Sequence, residues 1–191
     1  MAESRTGSAR TRLLDAAARL FYARGVTATG IDAITNEAGV AKMSLYNNFA
    51  SKDELVDAYI QARHEEWLGL YQQRVAEAGS PIDGVLAVFD AYIDHASLAY
   101  DHGFRGCGLL NAAAELPVGA PGREAVRRHK EQVESILTEH LTAAAPADVA
   151  IATAEQLSFL LEGAMSRAGL DGTPERLVRA REMAATVVGS L

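Results

Sequence analysis

Apolar residues recur along the chain at the three- and four-residue spacing of amphipathic helices, and no stretch alternates as a strand would. The first pattern contains Leu13, Ala17, Leu20 and Phe21 and is expected to stop at Gly25. Similar patterns follow, separated by short segments rich in Gly, Pro, Ser and Asp. The chain is therefore expected to be all-α, with about nine helices.

A hydroxyl residue marks the start of four of the expected helices. These residues are Thr29, Ser51, Ser80 and Thr173. Thr29 and Ser51 are each followed three residues later by an acidic side chain, Asp32 and Glu54, in the register of a capping box. Ser80 and Thr173 are each followed directly by a proline, which favours the first turn of a helix. All four are expected to be N-caps.

The segment IDAITNEAGVAKMSLYNNF has the layout of a helix-turn-helix. Ile34 and Ala38 lie four residues apart and give its first helix a buried face. Gly39 allows the tight turn that this motif needs before its second helix. The second helix is expected over about residues 42–49, with Leu45 on its buried side.

The other side chains of that second helix form an exposed and chemically mixed face. They are Lys42, Met43, Ser44, Tyr46, Asn47 and Asn48. Hydroxyl, amide and ammonium groups bind DNA phosphates and base edges, and an Asn can pair with adenine. Lys42 and Lys52 suit phosphates in particular. Each of these residues could instead be an ordinary packing or solvated residue, and the DNA-binding interpretation depends on the motif as a whole.

The text LLDAAARLFYARGVTATGIDAITNEAGVAKMSLYNNFASKDEL resembles the DNA-binding head of the TetR/AcrR family of transcriptional regulators, over about residues 10–60. The resemblance implies a ligand-responsive regulator, most often a repressor, that binds a palindromic operator as a homodimer. A small-molecule effector would release the DNA. The resemblance implies DNA-backbone contacts by Thr29, Tyr46 and Lys52. The residues it places toward the groove are Lys42, Met43, Ser44 and Asn47.

The resemblance also divides the chain. Residues 1–9 would be a flexible tail, residues 10–55 the helix-turn-helix domain, and residues 56–191 the effector-binding and dimerisation domain. Arg5 and Arg10 are expected to be solvated and untethered, although an arm along the DNA is the alternative. The fifth to seventh helices would enclose the effector, and the last two would pair with those of a second copy.

Two sets of candidate residues follow from this division. The candidate effector-pocket residues are Trp67, Tyr71, Phe89, Tyr92, Phe104, Cys107, Asn111, His129, Phe159 and Glu162. Most of them are apolar or aromatic, as in many small-molecule sites, so an aromatic or moderately hydrophobic effector is expected. The candidate dimer-interface residues are Leu157, Leu160, Ala164, Val178, Ala185 and Val188. Plain core packing is the alternative for both sets.

Charge is distributed unevenly along the sequence. Residues 1–52 carry seven basic and four acidic groups, a net charge of +3. The remaining 139 residues carry 11 basic and 21 acidic groups, a net charge of −10, which completes the formal total of −7. A mildly basic head on an acidic body suits a protein that brings only one end to a polyanion.

Other classes of protein receive little support from the sequence. Its first residues form no apolar secretory region and no apolar run approaches the roughly 18 residues of a membrane span, so a cytoplasmic protein is expected. No HExxH, GxxxxGK[ST] or GxSxG motif occurs, so no metal, cofactor or enzyme activity is expected. Two alternatives stay open: regulation through oxidation of the single cysteine, Cys107, and a small helical enzyme or carrier without DNA binding.

Overall fold

The computed structural model describes residues 7–98 and 103–191. Every regular element in these two ranges is a helix, which confirms the all-α prediction. The helices are α1 (Ala9–Arg24), α2 (Ile31–Ala38), α3 (Lys42–Tyr46), α4 (Lys52–Val75), α5 (Pro81–Ser97), α6 (Gly108–Glu115), α7 (Pro121–Thr142), α8 (Ala147–Asp171) and α9 (Glu175–Val188). None of the described helices is long and apolar enough to cross a membrane.

Two of the four expected N-caps are confirmed. The Glu54 backbone N–H donates to the Ser51 hydroxyl at 3.1 Å, and the Glu54 carboxylate accepts from the Ala50 N–H at 2.6 Å, so the start of α4 is capped in both directions. At α5 the Asp83 N–H donates to the Ser80 hydroxyl at 3.2 Å, ahead of a proline in the first turn.

The other two expected caps are wrong. The N-cap of α2 is Gly30, because Thr29 lies one position too early and its side chain is turned into the protein. The N-cap of α9 is Pro174 and not Thr173, and no side chain caps this helix. In both cases the hydroxyl residue is present near the helix start, but the backbone turns into the helix one residue later than the sequence indicated.

The third helix is shorter than expected and ends at Tyr46. The Asn48 side-chain amide donates to the Ser44 carbonyl at 2.7 Å, which is the acceptor that a continuing helix would give to the Asn48 backbone N–H. That N–H instead bonds the Leu45 carbonyl at 2.9 Å. Asn48 therefore closes α3 and holds a tight turn that leads to buried Phe49.

The described residues group into two compact units. The first holds the described part of Met1–Arg63 together with Gly108–Val126, and the second holds the described part of His64–Cys107 together with Arg127–Leu191. The first unit includes α1, α2, α3 and α6, and the second includes α5, α8 and α9. The sequence placed α6 in the effector-binding domain, so the structure groups this helix differently. The domain boundaries at residues 9 and 55 stay a prediction.

Apolar side chains of α1, α2 and α3 build the core of the first unit. Leu13, Ile34 and Leu45 are fully buried, one from each helix. At the surface an Arg19 nitrogen lies 3.1 Å from a Glu37 oxygen and joins α1 to α2, a contribution of about 1 kcal/mol at most. Burial of the three apolar side chains therefore fixes α2 and α3 on α1.

The core of the second unit is larger and is built mainly on α5, α8 and α9. Arg181 of α9 makes two bonds to the Asp90 carboxylate of α5, at 2.6 and 3.0 Å. The loop before α6 comes very close to α8, since a Cβ on Gly169 would lie 2.7 Å from the Gly106 Cα. Glycine at both positions allows this backbone approach.

Candidate nucleic-acid interface and interior cluster

The turn between α2 and α3 sets the direction in which α3 presents its side chains. Gly39 lies in the left-handed region, with φ 62° and ψ 40°, and the next residue, Val40, donates its N–H to the Thr35 carbonyl at 3.0 Å. Leu45 then packs into the core of the first unit. The opposite side of α3 is consequently directed outward.

That outward side carries large apolar and polar side chains together. Met43 is 69% exposed and Tyr46 is 48% exposed, which marks a contact surface because large apolar residues are otherwise buried. Lys42 and Asn47 are exposed beside them, and Ser44 is half-buried. We call these five residues the α3 face. The structure thus places the four residues that the sequence predicted to face a DNA groove on the same helix as Tyr46, which was predicted to contact the DNA backbone.

Lys42 has a partner that the sequence did not indicate. Its ammonium nitrogen lies 2.8 Å from a carboxylate oxygen of Asp32 on α2. The hydrogen bond to Asp32 raises the pKa of Lys42, so the side chain stays cationic. Because both side chains are largely exposed, the pair can open and the ammonium group can exchange the carboxylate for a phosphate.

Thr29 is placed differently from its expected role. Its side chain is buried, and its hydroxyl donates to the Gly25 carbonyl at 2.7 Å and lies 3.3 Å from the Leu20 carbonyl. The Leu20 carbonyl belongs to the last part of α1, and the Gly25 carbonyl lies just beyond its end. The hydroxyl of Thr29 therefore stabilises the α1–α2 turn and is not presented toward a phosphate.

Arg10 is tethered, contrary to the expectation that it would be solvated and free. It belongs to α1, and its guanidinium donates to the Asn48 carbonyl at 2.7 Å and lies 4.2 Å from the centre of the Phe49 ring. A cation over an aromatic face is favourable, so Arg10 fixes the chain that follows α3. The companion prediction for Arg5 lies outside the described residues.

Glu115, the last residue of α6, clamps the α1–α2 turn, and the sequence analysis missed it. Its carboxylate accepts from the Val26 N–H at 3.0 Å and from the Thr27 N–H at 2.7 Å. Burial alone would raise the pKa of Glu115, but the N–H groups of Thr27 and Val26 and the charge of Lys52 hold it below its ordinary value. The carboxylate is therefore ionised at neutral pH.

Gly25 makes room for this clamp. A Cβ at Gly25 would lie 2.5 Å from a carboxylate oxygen of Glu115, and the glycine φ of 90° is one that other residues rarely adopt. The sequence indicated Gly25 as a helix stop, which it is, but contained no sign of the Glu115 side chain, which bonds the next residue, Val26, from 89 residues away.

We expect Glu115→Ala to lower the free energy of unfolding by about 1–2 kcal/mol, because two backbone N–H groups lose a charged acceptor. Urea unfolding checks this, with Glu77→Ala at an exposed position just after α4 as the control for loss of one carboxylate. The control should change stability by less than about 0.5 kcal/mol. Equal effects of the two substitutions would show that the clamp does not stabilise the protein.

A second candidate site lies inside the second unit. The Trp67 ring stacks on Tyr71 with ring centres 5.6 Å apart and an angle of 4° between the planes. It also packs against Tyr92 at 5.3 Å and against the edge of His129 at 5.4 Å. The Nδ1 atoms of His129 and His64 are 2.9 Å apart, within hydrogen-bond distance. Four residues of the expected effector pocket thus form one aromatic group.

Lys130 joins this group to two more expected pocket residues, and the sequence analysis missed it. Its ammonium nitrogen lies 2.7 Å from Glu162 Oε1, 3.3 Å from Tyr92 Oη and 3.7 Å from Cys107 Sγ. Burial alone would lower the pKa of Lys130, but Cys107, Tyr92 and Glu162 raise it, so the side chain is cationic. We call the connected residues the interior cluster: Trp67, Tyr71, Tyr92, Cys107, His129, Lys130 and Glu162.

His129 is held neutral in the interior cluster. Burial is the main cause, and the charge of Lys130 and the neighbouring His64 and His95 act in the same direction, so the pKa of His129 falls from 6.5 to about 3. Burial likewise raises the pKa of the Tyr92 phenol, which therefore stays protonated. Lys130 and Glu162 form the ion pair of the cluster.

The lowered pKa of His129 predicts acid sensitivity. The unfolded chain takes up a proton near pH 6.5 whereas the folded protein resists it down to about pH 3, so the folded state loses stability as the pH falls through this range. We expect the unfolding free energy to fall between neutral pH and about pH 5, and less so in His129→Gln. Urea unfolding at both pH values checks this, and identical pH slopes for the two proteins would contradict it.

The four remaining expected pocket residues lie outside the interior cluster. Phe89 is a fully buried core residue, and Phe104 is buried as well. Asn111 is exposed and belongs to the first unit, in α6. Phe159 is 66% exposed on α8 and therefore lines no interior site. Both corrections have one physical cause: helical periodicity shows which residues share a face but does not show what covers that face.

The expected dimer residues need a similar revision. Leu157, Ala164 and Val188 are buried within the single chain and leave no side-chain surface for a partner. Val178 is exposed, and Leu160 and Ala185 are half-buried. The large apolar side chains that α8 and α9 expose include Ile151, Phe159, Leu170, Val178 and Met183, and we call these five the α8–α9 face.

No group of three or more His, Cys, Asp or Glu residues suited to a metal ion occurs in the described ranges.

The chain is similar in its N-terminal part to a family of known proteins. The sequence profile of the bacterial regulatory proteins of the tetR family matches residues 13–59. These residues run from the start of the first buried pattern of α1 into α4 and include the whole α3 face.

Two curated relatives match over the same region. The HTH-type transcriptional repressor KstR2 of Mycolicibacterium smegmatis is 35% identical over 88 residues, 46% of this chain and 43% of the relative. The HTH-type transcriptional activator FasR of the same organism is 37% identical over 95 residues, 48% of this chain and 43% of the relative. The chain therefore spans less than half the length of these relatives.

Solved structures match over nearly the whole length of the chain, and SCO4454 is an example. SCO4454, a TetR-family transcriptional regulator from Streptomyces coelicolor, has a TM-score of 0.84 and 32% sequence identity to this chain. The match covers 94% of this chain and 93% of that protein. The similarity thus extends through α5 to α9, where the sequence pattern alone indicated only helices.

Proposed function

The chain belongs to the TetR family of bacterial transcriptional regulators, which are not enzymes, and we propose on this premise that it binds a DNA operator as a homodimer and releases it on binding a small molecule. The observation that carries the proposal is the α3 face: five adjacent polar and apolar residues held outward on a helix whose other side is fixed in a core.

In this proposal α3 enters the major groove as the recognition helix of a helix-turn-helix. Tyr46 and Lys52 contact the DNA backbone, and Asn47 and Ser44 offer amide and hydroxyl groups to base edges. Met43 supplies an apolar contact of the kind that a thymine methyl group accepts. The Lys42 ammonium exchanges its contact with Asp32 for a phosphate.

A second copy of the chain would dock on the α8–α9 face. Its five large apolar side chains are exposed on two helices of the second unit, and exposed apolar surface of this kind favours association. Gly163 lies four residues after Phe159 on α8, and no atom within 4 Å would obstruct a side chain there, so a partner helix can approach closely. A symmetric dimer presents two recognition helices, so the operator should be roughly palindromic.

We propose that the regulator is a repressor and that the effector binds at the interior cluster. Curated relatives include both a repressor and an activator, and the repressor KstR2 matches from three bacterial species. An effector that prefers a conformation with misplaced α3 helices would weaken operator binding, typically by about 5–150-fold.

The acidic part of the chain after residue 52, with a net charge of −10, repels DNA and confines DNA contact to the helix-turn-helix domains. A DNA-binding role places the protein in the cytoplasm.

Selection of bound fragments from genomic DNA by the purified protein tests the proposal. We expect a recurring palindrome that is enriched at low salt and lost at high salt, because phosphate contacts make DNA affinity strongly salt-dependent. Enrichment should also be lost with Tyr46→Ala. No enriched sequence at either salt concentration would contradict the DNA-binding function.

Regulation through the Cys107 thiol is the second candidate, since a Lys130 nitrogen 3.7 Å away can stabilise a thiolate. The variant Cys107→Ser distinguishes the two mechanisms. A thiol-based regulator releases its operator on treatment with hydrogen peroxide and loses this response in Cys107→Ser, whereas a ligand-driven regulator does not respond to hydrogen peroxide in either protein.

A further inference from the structure

The interior cluster has hydrogen-bonding atoms that the protein leaves unused. Trp67 is 3% exposed, yet its indole Nε1–H has no hydrogen-bond partner among the described residues. Within the same described set, the buried Oε2 atom of Glu162 also accepts no hydrogen bond. A buried donor or acceptor without a partner is unfavourable, so these two atoms are positions where a bound molecule would gain most.

The two charges of the cluster neutralise each other. The Lys130 ammonium lies 2.7 Å from Oε1 of Glu162, which uses one carboxylate oxygen and leaves the other for a different donor. His129 and Tyr92 are neutral for the reasons given above. A charged ligand group would therefore enter a site with no unpaired opposite charge, and burying an unpaired charge is strongly unfavourable.

The walls of the cluster are aromatic. The centre of the Trp67 ring lies 5.6 Å from that of Tyr71 and 5.3 Å from that of Tyr92, and an aromatic ligand gains favourable stacked or edge contacts with such rings. A ligand that matches this cluster thus needs an apolar ring for its body and a neutral polar group for its end.

Resting on the proposed function, we propose that the effector is an uncharged aromatic compound carrying both a hydrogen-bond acceptor and a donor, such as an amide or a phenol. Its acceptor takes the Trp67 Nε1–H, and its donor bonds Oε2 of Glu162. This assigns a chemical class to the ligand of the interior cluster and a recognition role to two of its residues.

Trp67 provides the test, because it is the single tryptophan of the chain. Its fluorescence can be followed while the protein is titrated with four compounds of one skeleton: para-ethylbenzamide, para-ethylbenzoate, para-ethylbenzylammonium and para-diethylbenzene. We expect saturable binding of the amide, about tenfold or more tighter than binding of the anion and the cation. The amide should also bind more tightly than the apolar parent, since only the amide satisfies the two unused atoms.

A charge change in the cluster sharpens the test. Glu162→Gln leaves the Lys130 ammonium unpaired, so the benzoate should bind about tenfold more tightly to this variant than to the wild type. Glu77→Gln removes the same charge from an exposed position just after α4 and should leave all four affinities unchanged. Circular dichroism checks that both variants keep their helices.

Tighter binding of a charged compound to the wild type, equal binding of the amide and the apolar parent, or no saturable change with any of the four would overturn the proposal. Operator binding is measured on the same preparation. A protein that binds its operator but fails these titrations retains the proposed function and loses only the effector class. A protein that fails to bind DNA contradicts the proposed function whatever the titrations give.

Discussion

A glutamate in place of Met43 is expected to weaken operator binding by about 100-fold or more. Met43 lies at the centre of the α3 face and is 69% exposed, so the new carboxylate would meet the DNA phosphates directly and the apolar contact would be lost. The fold should be unaffected, because substitutions of exposed residues change stability by less than about 0.5 kcal/mol. Fluorescence anisotropy with a labelled operator duplex measures the affinity, and urea unfolding measures the stability.

Val118→Glu is the matched control for this substitution. Val118 is 91% exposed, lies between α6 and α7, and receives the same charge change outside the α3 face. Any general effect of an added negative charge should appear in both variants, and we expect it to stay within about threefold for Val118→Glu. Equal losses of affinity in the two variants would mean that α3 does not contact DNA.

The second large effect is expected from Phe159→Asp, which should convert a dimer into monomers. Phe159 is 66% exposed at the centre of the α8–α9 face, and burying a carboxylate there would raise the dimer dissociation constant by about 100-fold or more. The mass in solution should fall from twice the chain mass of 20.3 kDa to that mass itself. Operator affinity should fall with it, because a monomer reads only one half-site.

Leu157→Ala, two residues earlier on the same helix, separates the core from the interface. Leu157 is fully buried within the single chain, so its truncation should lower the unfolding free energy by about 2–5 kcal/mol and leave the folded dimer intact. Sedimentation velocity measures the mass of both variants. A monomeric Leu157→Ala protein together with a dimeric Phe159→Asp protein would show that the partner docks on a different face.

Local sequence patterns predicted the helices and the α3 face well. The buried positions Leu13, Ile34 and Leu45 follow from helical spacing, and Gly39 from the need for a left-handed residue at a tight turn. These features depend on residues a few positions apart, and periodicity and turn chemistry act at that range. Local patterns are less reliable for N-caps. Thr29 lies one residue before the N-cap of α2, but its hydroxyl donates to the Gly25 carbonyl at the end of α1 and does not cap α2.

Contacts between distant parts of the chain could not be predicted in this way. Glu115 reaches the turn after α1 from 88 residues away, and Lys130 meets Cys107 across 23 residues. The tethering of Arg10 has no sequence signature, because its partner is a backbone atom, the Asn48 carbonyl oxygen. Such contacts depend on how the helices pack.

The difference between the expected and observed positions of Leu157 and Phe159 has a similar cause. Leu157 was expected at the dimer interface and is buried in the core, whereas Phe159 was expected in the pocket and is exposed. Both are large and apolar and both lie on α8, so either could face the core. Side chains two positions apart on an α-helix point in directions about 200° apart, so only one of these two can point into the core. The choice depends on packing against the neighbouring helices, and apolarity alone carries no information about it.

Titrating a labelled palindromic operator with the purified protein, at about 50 mM and about 200 mM salt, tests most directly whether a dimer reads DNA through α3. We expect two chains per duplex, an affinity that falls by about 100-fold or more between the two salt concentrations, and little remaining affinity in Met43→Glu. Binding that is insensitive to salt, or that is equally strong in Met43→Glu, would contradict DNA recognition by the α3 face.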